Sequence, residues 1–94
     1  MADSPDRTKG TTRVEVKLFV RDDCPHCPAA FRACEGIAAL SVYNVGDLEG
    51  LAEASSWGVL ATPSVLVVDS AGHEIAGWRG EAPDAAQLHA VLAN

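Results

Sequence analysis

Hydrophobic and polar positions change rhythm along this chain, and each change marks an element. Arg13–Val20 alternates through Val14-Glu15-Val16-Lys17-Leu18 before ending on Phe19-Val20. Alternation in β-branched residues predicts a strand. Further on, Cys27, Phe31, Cys34 and Ala38 recur at offsets of four, three and four, which places them on one face of a helix. That helix is predicted from about Pro25, which suits a first helical position, to somewhere between Glu35 and Ala39. Pro28 costs it one backbone hydrogen bond, or is absorbed by a start one residue later. Ser41–Val45 predicts a short second strand closed by Gly46-Asp47, after which Asp47 caps a helix over Leu48–Trp57 and Gly58 stops it. Val65-Leu66-Val67-Val68-Asp69 is a continuous apolar run, as expected of a central strand buried on both faces. A turn at Ser70-Ala71-Gly72-His73 returns the chain as the antiparallel strand Glu74–Arg79. Gly80 breaks that strand. Pro83-Asp84 open a last helix reaching about Ala93, with Ala85, Leu88, Val91 and Leu92 on its inner side.

The order βαβαββα predicts an α/β fold, a mixed four-stranded sheet flanked by helices. Residues 1–12, nearly devoid of apolar side chains, are expected to be a disordered tail, leaving one domain over 13–94. Sixteen alanines carry much of the 48% hydrophobic content, while ten valines and eight leucines supply the bulk of the core, which should be thin and strand-rich.

Charge narrows the function. The formal net charge is −6, and beyond residue 32 Arg79 stands alone against eight acidic residues, which argues against a nucleic-acid partner. No apolar run is long enough to span a membrane and none of signal-peptide type follows Met1, so the expected compartment is the cytoplasm. Three cysteines, two of them in a C-x-x-C, do not form the even set of a secreted disulfide framework.

The chemistry concentrates in Cys24-Pro25-His26-Cys27, where the first strand hands over to the first helix. Two thiols at this spacing can close a disulfide or hold a metal ion. Exchange needs an attacking thiolate, a neighbour that resolves the mixed disulfide, and more exposure for the first than for the second. Cys24 fits the nucleophile and Cys27, one turn in on the core side, the resolving thiol. A helix N-terminus favours the Cys24 thiolate by about 0.3–1 kcal/mol. Asp22 and Asp23, at roughly 6 Å in a water-like dielectric, each oppose it by about 0.7 kcal/mol. The direction of the net shift therefore stays open, with His26 either tipping it when protonated or serving as a solvent-facing spacer. On a continuous helix Cys34 lies about 10 Å from Cys27, beyond the roughly 7 Å Cα separation a disulfide tolerates, so it reads as a small buried hydrophobe. Trp57 and Trp78 read as core or sheet cover.

With Cys24–Cys27 after the first strand, Thr62-Pro63 before the third, the hairpin that follows and Gly80 ahead of the last helix, the chain resembles small proteins of the thioredoxin/glutaredoxin superfamily. The resemblance covers about Arg13–Ala93 and is nearest to minimal versions whose active site reads C-P-x-C-P. It implies a thioredoxin fold, and a cis Pro63 beside the cysteines with the backbone of Thr62 pairing to an extended substrate. It implies a redox-active dithiol carrier that exchanges protein disulfides, with Pro25, His26 and Pro63 as modulating residues. The expected electron donor is a flavoprotein reductase of the thioredoxin-reductase type, and the expected state is a monomer with no cofactor and no metal. The Gly-Gly-x-Asp-Asp element with which glutaredoxins hold glutathione is absent, Gly77, Gly80 and Asp84 being fragments of it. The buried acid that serves thioredoxins behind the pair is likewise not evident, although Glu15 or Lys17 could approach that position. Two other classes compete with this reading. One is a metal or iron–sulfur binding protein using the same C-x-x-C, although no second C-x-x-C or C-x-x-H completes a four-ligand zinc site. The other is a redox-silent interaction module, against which the intact pair argues.

Overall fold

The structure, a computed structural model, describes residues 13–93. Its elements are β1 (Val14–Val20), α1 (Cys27–Ala33), β2 (Leu40–Asn44), α2 (Leu48–Ser56), β3 (Ser64–Asp69), β4 (Glu74–Arg79) and α3 (Ala85–Ala93). This is the βαβαββα order expected. The tail expected over residues 1–12 lies outside the described residues.

The four strands form one mixed sheet in the order β2-β1-β3-β4. β1 runs parallel to β2, with Val20 opposite Asn44, and antiparallel to β3, with Phe19 opposite Ser64. β3 and β4 form the antiparallel hairpin, with Ser64 opposite Arg79. These registers bring the ends of β1, β2 and β4 and the start of β3 to one edge of the sheet. The cysteine loop, the β2–α2 turn, Thr62-Pro63 and Gly80 therefore gather at that edge.

Period-two alternation divides the core into two layers. Val16, Leu18 and Val20 of β1 pack with Val65 and Val67 of β3 against Cys27, Ala30 and Cys34 of α1 and Leu88 of α3. Phe19, Leu66 and Val68 point the other way, against Ala54 of α2 and Val59. β3 is buried along all but its last residue, which is why Val65–Val68 is an unbroken apolar run.

Several boundaries differ from expectation. α1 starts at Cys27 rather than Pro25 and ends at Ala33, before Glu35. Pro28 explains the late start, because at the second helical position its missing N–H lies among the first-turn groups that have no partner in any helix. The end follows from Gly36, which turns the chain at φ +80°. The face predicted for this helix is also redrawn. Phe31 is 44% exposed and Ala38 lies outside the helix on the surface, while Ala30 and Ala33 take the buried positions. β2 begins one residue earlier than expected. Asp47 stands at the start of α2 as predicted, but through its carbonyl, which accepts the Leu51 N–H at 2.9 Å, and not through its side chain. Asp84 does use its carboxylate at α3, accepting the Ala86 N–H at 3.3 Å. Ala85 faces solvent, so the inner side of α3 rests on Leu88, Val91 and Leu92 alone.

Gly50 fixes how α2 lies on the sheet. A Cβ there would stand 1.9 Å from the carbonyl oxygen of Asn44 and 2.6 Å from its carbon. Only a residue without a side chain lets the helix come this close to β2.

Candidate active site

β1 ends at Val20, and Arg21-Asp22-Asp23 carry the chain over the edge of the sheet. Asp23 adopts φ +59°, a left-handed conformation that aspartate tolerates better than most residues. Asn44, at the end of β2, braces this corner. Its Nδ2 donates to Asp22 Oδ1 at 3.3 Å while its Oδ1 accepts the Gly46 N–H at 2.8 Å. One side chain thus links the approach to the cysteines with the turn into α2.

Cys24 and Cys27 are joined by a disulfide, with their Cα atoms 5.3 Å apart. Cys24 lies in the turn before α1 rather than on its first helical turn, and Cys27 donates its backbone N–H to the Cys24 carbonyl at 3.3 Å. The two sulfurs differ in access. Cys24 is half-buried, whereas Cys27 is 4% exposed and belongs to the core layer of Val16, Leu18 and Val20. Pro25 and His26 face solvent, with His26 at the residue that precedes α1. Cys34 is free and buried, and burial pushes its thiol pKa up.

Across the same edge, the Thr62-Pro63 peptide is cis and Pro63 is fully buried. The Thr62 N–H and C=O enter no hydrogen bond among the described residues, and its hydroxyl is buried without a partner. Ser64 locks the loop, donating its hydroxyl to the Ala61 carbonyl at 2.7 Å and accepting the Gly80 N–H at 3.1 Å. Beside it opens a groove of about 230 Å³ lined by Arg21, Val45, Leu51, Val59, Leu60 and Thr62, among others. Leu60, at 96% exposure, stands on its rim as an unburied apolar knob.

Lys17 and Glu15 do not lie behind the cysteines. They project from the opposite face of β1, where Lys17 Nζ pairs with Glu53 Oε2 at 2.9 Å and Glu15 Oε1 at 3.4 Å. It also donates to the Tyr43 hydroxyl at 3.4 Å and lies 5.3 Å from that ring's centre. Glu53 Oε2 accepts the Trp57 Nε1–H as well, at 3.1 Å. Burial alone would push the Lys17 pKa down, but these partners, Glu53 foremost, reverse the sign and raise it. The Lys17 hydrogen bond holds the Glu53 carboxyl below its usual range. This cluster joins β1 to β2 and α2 and takes no part in the dithiol edge.

Asn44, Ser64, Leu60 and Gly50 went unnoticed in the sequence. Asn44 stands directly before the Val45-Gly46-Asp47 turn, and Ser64 directly after the proline, but nothing in their spacing separates them from ordinary turn residues. Among the described residues, no group of three or more His, Cys, Asp or Glu side chains converges as metal ligands would, so the metal-binding alternative finds no support.

No protein-family model matches the chain. It is similar to a thioredoxin of Methanocaldococcus jannaschii, with 33% identity over 61 residues, which are 60% of this chain and 72% of that protein. Among solved structures, thioredoxin 1 of Thermosipho africanus superposes with a TM-score of 0.68 at 19% identity, over 84% of this chain and 90% of that one. A thioredoxin-fold protein of Helicobacter pylori superposes with a TM-score of 0.66 at 15% identity, over 84% of this chain and 66% of that one. The two structural likenesses establish the fold.

Proposed function

Because the chain belongs to the thioredoxin family, we propose that it is a dithiol–disulfide oxidoreductase acting on protein disulfides, with Cys24 as the attacking thiol and Cys27 as the resolving one. One observation carries this reading: the two sulfurs are bonded to each other, and only Cys24 has appreciable access to solvent. In the reduced protein the Cys24 thiolate attacks a substrate cystine, forming a mixed disulfide and releasing one substrate thiol. Cys27 then attacks Cys24, releasing the second substrate thiol and closing the bond seen here.

The unpaired backbone of Thr62 supports a role in aligning an extended substrate strand, with Pro63 as the buried base of that loop. The groove beside Thr62, rimmed by Leu60, suits an apolar side chain flanking the substrate's cystine. Pro25 and His26, exposed between the sulfurs, are positioned to tune the pair. A flavoprotein reductase of the thioredoxin-reductase type is the proposed electron source, since the glutathione element is absent from the sequence. A free thiol beside an exchanging pair suits the reducing cytoplasm, and the chain is proposed to work there as a monomer.

Insulin reduction tests the reading. Turnover is expected with NADPH and a thioredoxin reductase, little with glutathione and its reductase, and none with Cys24→Ser. Equal rates with both donors would remove the reductase assignment, and an active Cys24→Ser would remove the nucleophile.

A further inference from the structure

Resting on the assignment of Cys27 as the resolving thiol, we infer that no side chain among the described residues accepts the Cys27 proton, so that this proton leaves to solvent and the resolving step is gated by pH.

Besides the Thr62 hydroxyl, which is no base, the buried polar or charged side chains among the described residues are Lys17 and Ser64. Both sit on the other face of the sheet: Lys17 with Glu53 and Tyr43, and Ser64 in register with Leu66 and Val68. The core layer that holds Cys27 is built from Val16, Leu18 and Val20 of β1, Val65 and Val67 of β3, Ala30 and Cys34 on the α1 side, and Leu88 of α3. None of these is a carboxylate, an amine or an imidazole. Besides Cys24, the one titratable neighbour in this layer is the Cys34 thiol, whose own ionisation is disfavoured by burial. Asp22, Asp23 and His26, nearest in sequence, are all exposed.

A thiol must ionise before it attacks a disulfide, and an apolar surrounding disfavours the thiolate. In the resolving step Cys27–SH loses its proton to water or hydroxide at the mouth beside Cys24. The thiolate then attacks Cys24 Sγ, the Cys24–Cys27 bond forms, and the Cys24–substrate bond breaks with its electron pair on the departing substrate sulfur. Without an internal base, the rate follows the fraction of Cys27 present as thiolate. That fraction rises about tenfold per pH unit for as long as the pH lies below the thiol's pKa, which an apolar surrounding does not lower. Once formed, the mixed disulfide should therefore decay more slowly as the pH falls.

Stopped-flow reaction of the reduced full-length protein with an aromatic nitrobenzoate disulfide reads both halves, because the released thiolate is coloured and acidic enough to need no proton. The first release scales with reagent concentration and reports attack by Cys24. The second is independent of it and reports resolution by Cys27. The second rate constant is expected to rise about 100-fold from pH 6 to pH 8, without a plateau. A rate that is flat, or that levels off below about pH 7.5, would overturn the inference; if His26→Ala abolished that plateau, the imidazole would be the base. A separate result bears on the underlying assignment: Cys27→Ser must release one thiolate without the second phase. If it showed the same second phase as wild type, Cys27 would not be the resolving thiol at all.

Discussion

Replacing Glu53 by glutamine should cost this protein much more than replacing Lys17 by methionine, although both changes break the same ion pair. Lys17 is 7% exposed and its ammonium lies 2.9 Å from Glu53 and 3.4 Å from Glu15. At an effective dielectric near 20 the closer pair is worth about 6 kcal/mol of direct attraction, offset by the several kcal/mol needed to desolvate the ammonium. Glu53→Gln removes the closer and better buried attraction and leaves the buried charge in place, with Glu15, 43% exposed, as its remaining carboxylate. The amide oxygen can still accept from Lys17 and Trp57, and the Glu53 side chain is 30% exposed, so water softens the loss. A net cost of about 2–3 kcal/mol follows. For a domain of this size that lowers Tm by about 10–20 °C. Lys17→Met keeps a stem of similar volume, removes the charge that had to be desolvated, and leaves Glu53 with its Trp57 hydrogen bond and partial hydration. Its cost should stay within about 1 kcal/mol.

Thermal unfolding of the oxidised proteins by circular dichroism measures both, and pH adds a second axis. The Glu53 carboxyl pKa is lowered in the folded state, so its contribution is present above the unfolded value, near 4.5, and is lost as pH falls through the folded value. The Lys17 pKa is raised, so its contribution is present below about 10.5 and is lost as pH rises through the folded value. The pair should therefore stabilise the fold across the whole range between, and Glu53→Gln should remove the acid-side loss. Insulin reduction at a temperature where each variant is folded should be unchanged. If Lys17→Met cost as much as Glu53→Gln, the balance of attraction and desolvation drawn here would be wrong.

Two further substitutions probe the dithiol edge. Gly50→Ala should destabilise the protein by about 2 kcal/mol or more, against the usual gain from alanine in a helix, because the Cβ would overlap the Asn44 carbonyl, which is backbone and cannot step aside. Asn44 braces Asp22, so activity should fall with stability, and a stable, fully active variant would refute the contact. Leu60→Asp should leave Tm within about 0.5 kcal/mol equivalent, as expected for a surface position. It should raise KM for a protein disulfide about tenfold, the loss of roughly 1.4 kcal/mol of apolar contact. A small aromatic disulfide should react as before; equal effects on both substrates would remove the groove from substrate binding.

Much of this architecture could be read from periodicity because the relevant signals are local. The alternation in Val14–Val20, the unbroken apolar run of β3, the turn at Gly72 and the stop at Gly58, where φ is +68°, all act within a few residues. The cysteine pair was legible for the same reason, since its chemistry depends on a spacing of three. What was not legible depends on which face of the sheet a residue meets. Lys17 looked able to approach the cysteines, yet its place in the alternation puts it opposite Leu18 and away from them. Phe31 shares the spacing of a core residue but is 44% exposed on a helix only seven residues long, whose buried positions are Cys27, Ala30 and Ala33. The Asn44–Asp22 and Gly80–Ser64 hydrogen bonds join segments 22 and 16 residues apart and have no local signature, and the close approach of α2 to β2 at Gly50 depends on how the helix lies on the sheet.

The division of labour between the two sulfurs is the centre of this account, and a trapped intermediate tests it most directly. Reduced Cys27→Ser, mixed with a protein disulfide, quenched in acid and digested without reduction, should yield a stable conjugate whose substrate peptide is joined to the peptide containing Cys24. A conjugate through Cys34, or none at all, would contradict the assignment of Cys24 as the exposed attacking thiol.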